Sequence, residues 1–200
     1  MAELVFRYGT MASGKSLHLL STAYNFKENK IKYQLLKPSI DTRAEGKICS
    51  RIGIEEVCTL LPSNKDIWEY IDLECKWILV DESQFLHSFQ IEQLSQIVDK
   101  FGINVICYGL RTDYLTRLFE GSKRLFELAD RFEELPSYCS CGDKTSVNAK
   151  IDKSGEIEIT DSSEQIEIGG DDRYKAICRS CFFDKVAELT DLNTEFLKKE

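Results

Sequence analysis

The sequence predicts an α/β fold: a parallel sheet with helices on both faces, followed by a small metal-stapled β unit. Three observations carry that expectation. A short apolar run near the N-terminus leads through a glycine-rich loop into a helical run. Up to about residue 135, short apolar runs alternate with amphipathic stretches, the pattern of parallel strands buried on both faces by crossover helices. Beyond Leu135-Pro136 the pattern changes to a period of two, bracketed by two close cysteine pairs.

Leu4-Val5-Phe6-Arg7-Tyr8 reads as the first buried strand. Gly9-Thr10-Met11-Ala12-Ser13-Gly14-Lys15-Ser16 then fits G-x-x-x-x-G-K-[ST] at every fixed position, and Leu17-His18-Leu19-Leu20 starts a helix. At average residue usage the four fixed positions recur by chance in roughly one chain in a hundred of this length. Placement between strand and helix makes chance rarer still. In this motif backbone N–H groups cradle phosphates. Lys15 reaches the β- and γ-phosphates, and the Ser16 hydroxyl can hold Mg²⁺.

Tyr33 to Leu36, Val57 to Leu61, Trp77 to Val80 and Ile103 to Gly109 are the further strand candidates, with helical patterns at Ile67 to Leu73 and Ile91 to Phe101. Trp77-Ile78-Leu79-Val80 is the clearest, and Asp81-Glu82 ends it. An acid at such a strand end, downstream of a phosphate loop, holds the Mg²⁺ that bridges the phosphates, and a neighbouring carboxylate can take a proton from the nucleophile. Asp81 is the candidate metal holder and Glu82 the candidate general base. These residues alone leave two acceptors open: water, as in an ATPase or helicase, or a substrate hydroxyl, as in a small-molecule kinase.

Past Pro136, Val147 and Ala149 alternate with Asn148 and Lys150, and Ile157 and Ile159 with Glu156 and Glu158. That is hairpin character, with Asp152-Lys153-Ser154-Gly155 as the turn. Cys139-x-Cys141 and Cys178-x-x-Cys181 match a closed four-thiolate structural Zn²⁺ site, which compensates for a small core. Such a site would fix the base of the loop from Asp161 to Tyr174. Cys58 and Cys107 sit in apolar runs and read as buried structural thiols. His18 and His87 read as helix-face and loop residues.

The chain has 200 residues, 42% of them hydrophobic, and a formal net charge of −8. The size suits one domain with an appendage. The acidic balance and lack of a basic stripe argue against a nucleic-acid-binding surface. No stretch approaches a membrane span, and the first residues are committed to strand and loop rather than to a signal peptide, so a cytoplasmic protein is expected.

Taken in order, these segments carry a resemblance. Gly9 to Ser16, Lys37-Pro38-Ser39-Ile40-Asp41-Thr42-Arg43, Asp81-Glu82-Ser83-Gln84-Phe85, Tyr108-Gly109-Leu110-Arg111-Thr112-Asp113-Tyr114, Phe119-Glu120-Gly121-Ser122 and Ile168-Gly169-Gly170-Asp171-Asp172-Arg173-Tyr174, with the cysteine pairs, make the chain similar to type II thymidine kinases. The resemblance covers essentially the whole length. It implies transfer of the ATP γ-phosphoryl group to the 5′-hydroxyl of thymidine, giving dTMP for pyrimidine salvage.

Carried over position by position, Gly9, Thr10, Met11, Ala12, Ser13, Gly14, Lys15 and Ser16 bind ATP phosphates, with Asp81, Glu82, Ser83 and Gln84 as the second ATP segment. Ser16 and Asp81 take Mg²⁺, and Glu82 is the catalytic proton acceptor. Met11, Phe85, Leu110, Tyr114, Phe119 and Tyr174 surround the nucleoside. Gln165, Ile166, Glu167, Ile168 and Gly169 belong to a lasso that reads the base through main-chain groups, where Gly169-Gly170 permits close approach. Asp41 and Arg43 match polar positions near the reaction centre. Cys139, Cys141, Cys178 and Cys181 match zinc ligands. Thr10 and Ala12 replace bulkier residues common in the family, and Tyr114 stands where Phe is frequent.

The full expectation is a P-loop NTPase-like (RecA-like) α/β domain over residues 1–136, a zinc-binding lasso domain over 137–192 and a frayed tail over 193–200. Feedback inhibition by dTTP and a homotetramer, with a dimer as the alternative, are implied by the family. Nucleic-acid and membrane partners are not expected.

Overall fold

The strands alternate their burial between two apolar layers, and this sets the architecture. In the computed structural model, which describes residues 1–42, 46–158 and 173–197, six strands form one sheet. They are β1 (Leu4–Tyr8), β2 (Tyr33–Pro38), β5 (Thr59–Leu61), β6 (Trp77–Val80), β7 (Asn104–Gly109) and β8 (Arg131–Glu134), in the order β5-β2-β6-β7-β1-β8. All five pairings are parallel. Leu4, Phe6, Leu36, Ile78, Val80, Val105 and Cys107 face one layer. There they meet Ile91, Leu94 and Ile97 of helix α2 (Ser88–Phe101) and Leu125 of helix α3 (Glu120–Leu128). Val5, Leu35, Leu79, Ile106 and Tyr108 face the other, against Leu19, Leu20, Ala23 and Phe26 of helix α1 (Lys15–Glu28). The expected parallel sheet with helices on both faces is therefore present.

Two local expectations are corrected, and one strand of the sheet was not anticipated. The run Val57 to Leu61 is not one strand. It breaks at Cys58, whose N–H donates to the Gly46 carbonyl, so β5 joins the large sheet. The residues before the break form β4 (Glu55–Val57), an antiparallel partner of β3 (Lys47–Cys49). Ile67 to Leu73 makes only a 3-10 turn over Ile67–Tyr70. Its first N–H is taken by the Gln93 side chain, and only Ile67 is fully buried there, too little to hold a longer helix. The edge strand β8 had no apolar signal. Its charged residues suit an exposed sheet edge, and Glu133 pairs with Arg7 in register with it at 2.5 Å.

The chain divides into two compact units. The first comprises residues 1–9, 13–111 and 118–135. The second comprises residues 10–12, 112–117 and 136–200. In the second, β9 (Val147–Lys150) pairs antiparallel with β10 (Tyr174–Ile177), and helix α4 follows over Arg179–Leu197. The expected hairpin partner of Val147 to Lys150 is thus replaced by the distant Tyr174 to Ile177. The nearer segment contributes a single bridge, Ile151 to Ile157, around the turn closed by Gly155 N–H to the Asp152 carbonyl at 3.0 Å. The simple alternation also fails at Asn148, which is as buried as its neighbours Val147 and Ala149. Ile159 lies outside the described residues, as do the loop from Asp161 to Gln165 and the last three residues.

Candidate active site

Strand β1 ends at Tyr8, and the Gly9 N–H donates to the carbonyl of Gly109, the last residue of the adjacent β7. The chain then turns through Ala12 and Gly14, both with positive φ (63° and 78°), and enters α1 at Lys15. No side chain caps this helix and no acid stands in its first turn. The N-terminal amides and the positive end of the helix dipole are therefore arranged for an anion. Lys15 is buried, its ammonium 3.2 Å from the Gly9 carbonyl, and the Ser13 hydroxyl is buried with no hydrogen-bond partner among the described residues.

Strand β6 lies on the other side of β7, so the residues after β1 and β6 emerge at the same, carboxyl-terminal edge of the sheet. There the Ser16 hydroxyl donates to Asp81 Oδ2 at 2.9 Å, while Asp81 Oδ1 is buried with no hydrogen-bond partner among the described residues. Burial, and then the charge of Glu82, push the Asp81 carboxyl up to about 7, against the opposing pull of Ser16 and Lys15. A buried carboxylate with an orphaned oxygen beside a hydroxyl is a donor set that a hard divalent cation satisfies. Ser16 and Asp81 fit such an ion.

Glu82 follows in the left-handed region (φ 51°), a strained conformation for a residue with a Cβ. Gln84 holds it. The Gln84 amide donates to Glu82 Oε2 at 2.6 Å and accepts from the Leu110 N–H at 3.0 Å. This arrangement needs glycine at two places. A Cβ on Gly109 would lie 2.8 Å from Gln84 Oε1, and one on Gly121 would lie 2.6 Å from the Ser83 carbonyl. Ser83 in turn donates to the Tyr108 carbonyl at 3.0 Å.

The other expected residues divide between the units. In the first, Phe85 and Phe119 meet edge to face at 5.8 Å, and the Leu110 carbonyl accepts from Ser122 at 2.6 Å. Asp41 is buried in an ion pair with equally buried Lys37 at 3.0 Å. Arg43 lies outside the described residues. In the second unit, the Tyr114 and Tyr174 rings stand 6.3 Å apart, with the Lys150 ammonium 5.6 Å from the Tyr114 ring centre. Met11 falls in this unit too. Gln165, Ile166, Glu167, Ile168 and Gly169 lie outside the described residues. His18 touches the Tyr108 hydroxyl at 3.1 Å and His87 touches Glu120 at 2.9 Å, both as structural contacts.

The sulfurs of Cys139, Cys141, Cys178 and Cys181 all lie within 4.8 Å of one another, with Cys141 and Cys178 at 3.6 Å. Four thiolates around one tetrahedral ion at zinc–sulfur distance stand about 3.8 Å apart. Backbone N–H groups of Cys141 and Cys178 draw the Cys139 thiol down to about 6, while the crowding sulfurs of its neighbours push Cys181 up. The cluster can hold a metal ion, and the short Cys-x-Cys spacing still brings all four sulfurs within 4.8 Å of one another.

With this geometry in place, the comparisons decide the family. The family model described as "Thymidine kinase" matches residues 2–182. The chain belongs to the thymidine kinase family. It is 43% identical to the thymidine kinase of Pasteurella multocida over 94% of this chain and 100% of that one. It is 41% identical to that of Haemophilus influenzae over the same shares, and 40% identical to that of Zymomonas mobilis over 94% and 100%. Among solved structures, the Pif1 helicase of Candida albicans aligns over 67% of this chain and 36% of that one at 13% identity; at a TM-score of 0.39 this likeness carries no argument. Among the described residues, no helix is long and apolar enough to cross a membrane.

Several polar residues of this thymidine kinase family member escaped sequence reasoning. Lys37 stood in a segment that carries the resemblance, but its buried ion pair with Asp41 was not legible, because burial of both charges is set by the fold. Ser137, Thr145 and Asn148 were silent because their partners, Thr10 and Met11, lie more than a hundred residues away. Only the fold makes them neighbours.

Proposed function

We propose that the chain transfers the γ-phosphoryl group of ATP to the 5′-hydroxyl of thymidine, yielding dTMP and ADP for pyrimidine salvage. The observation that carries this reading, in a member of this family, is the Ser16–Asp81 pair with its orphaned carboxylate oxygen beside Glu82. Gly9 to Ser16 bind the phosphates through main-chain N–H groups, with Lys15 as the cation on the β- and γ-phosphates. Ser16 and Asp81 hold Mg²⁺, which when bound neutralises charge developing on the transferred group. Ser83 and Gln84 belong to the same ATP segment.

Glu82 accepts the 5′-hydroxyl proton, and Gln84 keeps its carboxylate in place. For the nucleoside we infer Met11, Phe85, Leu110, Tyr114, Phe119 and Tyr174, with the main chain of Gln165 to Gly169 on the base. Asp41 and Arg43 act near the reaction centre. The metal at Cys139, Cys141, Cys178 and Cys181 is Zn²⁺, structural because four thiolates leave no open position. Residues 1–136 form the kinase domain, 137–192 the zinc and lasso domain and 193–200 a frayed tail. The protein works in the cytoplasm as a homotetramer, or a dimer, under feedback by dTTP, without nucleic-acid or membrane partners.

The test is a nucleoside panel with γ-labelled ATP, run on wild type and Glu82→Gln. Label appears on thymidine with the wild type. The variant loses between about tenfold and a hundredfold in turnover, or more, while still binding ATP. Unchanged turnover in the variant removes Glu82 from the base role, and label released only as inorganic phosphate overturns the kinase reading.

A further inference from the structure

The tip of the phosphate loop, Thr10–Ala12, belongs with the cysteine-bearing second unit, although the loop's two ends, Gly9 and Ser13 onward, belong with the sheet. Two sets of hydrogen bonds within that unit hold the tip. The hydroxyls of Thr10, Ser137 and Thr145 form a closed triangle, with sides of 2.8 Å (Thr10–Ser137), 2.7 Å (Thr10–Thr145) and 2.5 Å (Ser137–Thr145). The Met11 N–H donates to Asn148 Oδ1 at 2.7 Å. Thr10, Thr145 and Asn148 are all buried, at 8%, 3% and 4% exposure, where a lost partner is not replaced by water.

Both anchors adjoin the cysteines. Ser137 and Thr145 bracket the knuckle that carries Cys139 and Cys141, closed by Thr145 N–H to the Ser137 carbonyl and Cys139 N–H to the Asp143 carbonyl, each at 2.8 Å. Asn148 lies opposite Ala176 in the β9–β10 ladder, two residues before Cys178. Immediately after the anchored pair comes Ala12, held at φ 63° without being glycine. Such a conformation persists only where its surroundings over-determine it. The neighbouring anchors at Thr10 and Met11 supply that constraint, because the Met11 N–H has a fixed acceptor and cannot swing with the loop.

We infer that Asn148 and the Thr10–Ser137–Thr145 hydroxyl triangle are positioning residues for ATP. They act through the phosphate-loop tip, setting its backbone before nucleotide arrives. This rests on the reading of Gly9 to Ser16 as the ATP site. Asn148 and Thr145 bond Met11 and Thr10, so they decide where the Thr10–Ala12 backbone stands. A preset loop binds without ordering itself at the moment of binding, and the anchors therefore bear on ATP affinity more than on the nucleoside.

The experiment compares full-length wild type with Asn148→Leu, which removes the acceptor at similar volume, Asn148→Asp, which keeps an acceptor oxygen, and Thr10→Val, which opens the triangle. Three readouts are taken: equilibrium ATP binding without thymidine, KM for each substrate, and metal bound per chain. Asn148→Leu and Thr10→Val are expected to weaken ATP binding and raise KM for ATP by about tenfold, the equivalent of one lost hydrogen bond. KM for thymidine should shift less than about threefold, with metal content unchanged, and Asn148→Asp should recover most of the ATP affinity. Unchanged ATP binding in a folded variant overturns the inference. So does a parallel loss in both substrates with falling metal content, which marks a purely structural role. If Asn148→Leu fails to fold, Thr10→Val decides alone. A wild type that binds ATP yet labels no nucleoside refutes the kinase reading separately, and a wild type that binds no ATP refutes the loop's assignment.

Discussion

The two units of the chain are held together by different physics. In the first, a six-stranded sheet buries apolar side chains on both faces, and each layer runs through several strands and at least one helix. In the second, the apolar cluster among the described residues comprises Cys139, Val147, Ala149, Ile177 and Cys178, with Ile157, Cys181 and Phe182 at its margin. Two of its five buried members are themselves thiols of the quartet, and that changes what the metal site is for. A core of the size seen among the described residues offsets little of the entropy of ordering its chain. A metal ion held by the quartet would stand in for hydrophobic area, so the two units should respond to different perturbations.

The largest expected effect follows from removing one sulfur. Cys178→Ser takes away a ligand from a site type whose apparent metal-binding free energy is about 10–16 kcal/mol in small zinc domains. Bound zinc by elemental analysis should fall to near zero and kinase turnover should drop at least about a hundredfold. Far-UV circular dichroism should keep the signal of the sheet and helices of the first unit. Loss of all secondary structure in this variant would show that the units do not separate in this way.

A core truncation in the first unit should do the opposite. Leu79 is fully buried in the centre of the sheet, and Leu79→Ala should cost about 2–5 kcal/mol in urea denaturation. Zinc per folded chain should not change. A variant that also sheds its metal would break the contrast.

The smallest effect sharpens the picture at the sheet edge. Burial pushes the Glu133 carboxyl up, but the hydrogen bond and charge of Arg7, with Arg131, outweigh it and hold it below the ordinary value of 4.5. A carboxyl lowered on folding contributes stability above its unfolded pKa and loses it as pH falls through the folded one. Wild type should therefore lose more stability than Glu133→Gln on acidification below about pH 5, by no more than about 1 kcal/mol. Equal acid slopes in denaturation series at several pH values would remove this pair from the account.

Sequence patterns served the two regions unequally, for the same physical reason. Trp77 to Val80 and Leu4 to Tyr8 were readable as strands because a strand buried on both faces must be apolar throughout. Val57 to Leu61 was misread because its break at Cys58 depends on the Gly46 carbonyl, a partner no window includes. Val147 to Lys150 showed a strand, but its partner Tyr174 to Ile177 could not be chosen over the nearer Glu156 to Ile159 by alternation alone. The glycines at 109 and 121 looked like ordinary turn residues. Their need is set by the pinned Ser83 and Gln84 side chains against Gly109 and by the Ser83 and Leu86 carbonyls against Gly121.

By itself the sequence determined the strand, phosphate loop and helix at the N-terminus, the acid pair after the most apolar strand, and the two cysteine pairs. Each of these is local chemistry, in which residue type and spacing within a few positions decide the outcome. The tertiary structure alone decided that Gln84 steadies Glu82, and that Asn148 and the Thr10–Ser137–Thr145 triangle grip the loop tip. Those contacts depend on strand order and on burial, which turn a polar side chain from a solvated group into one that must find its partner across the fold.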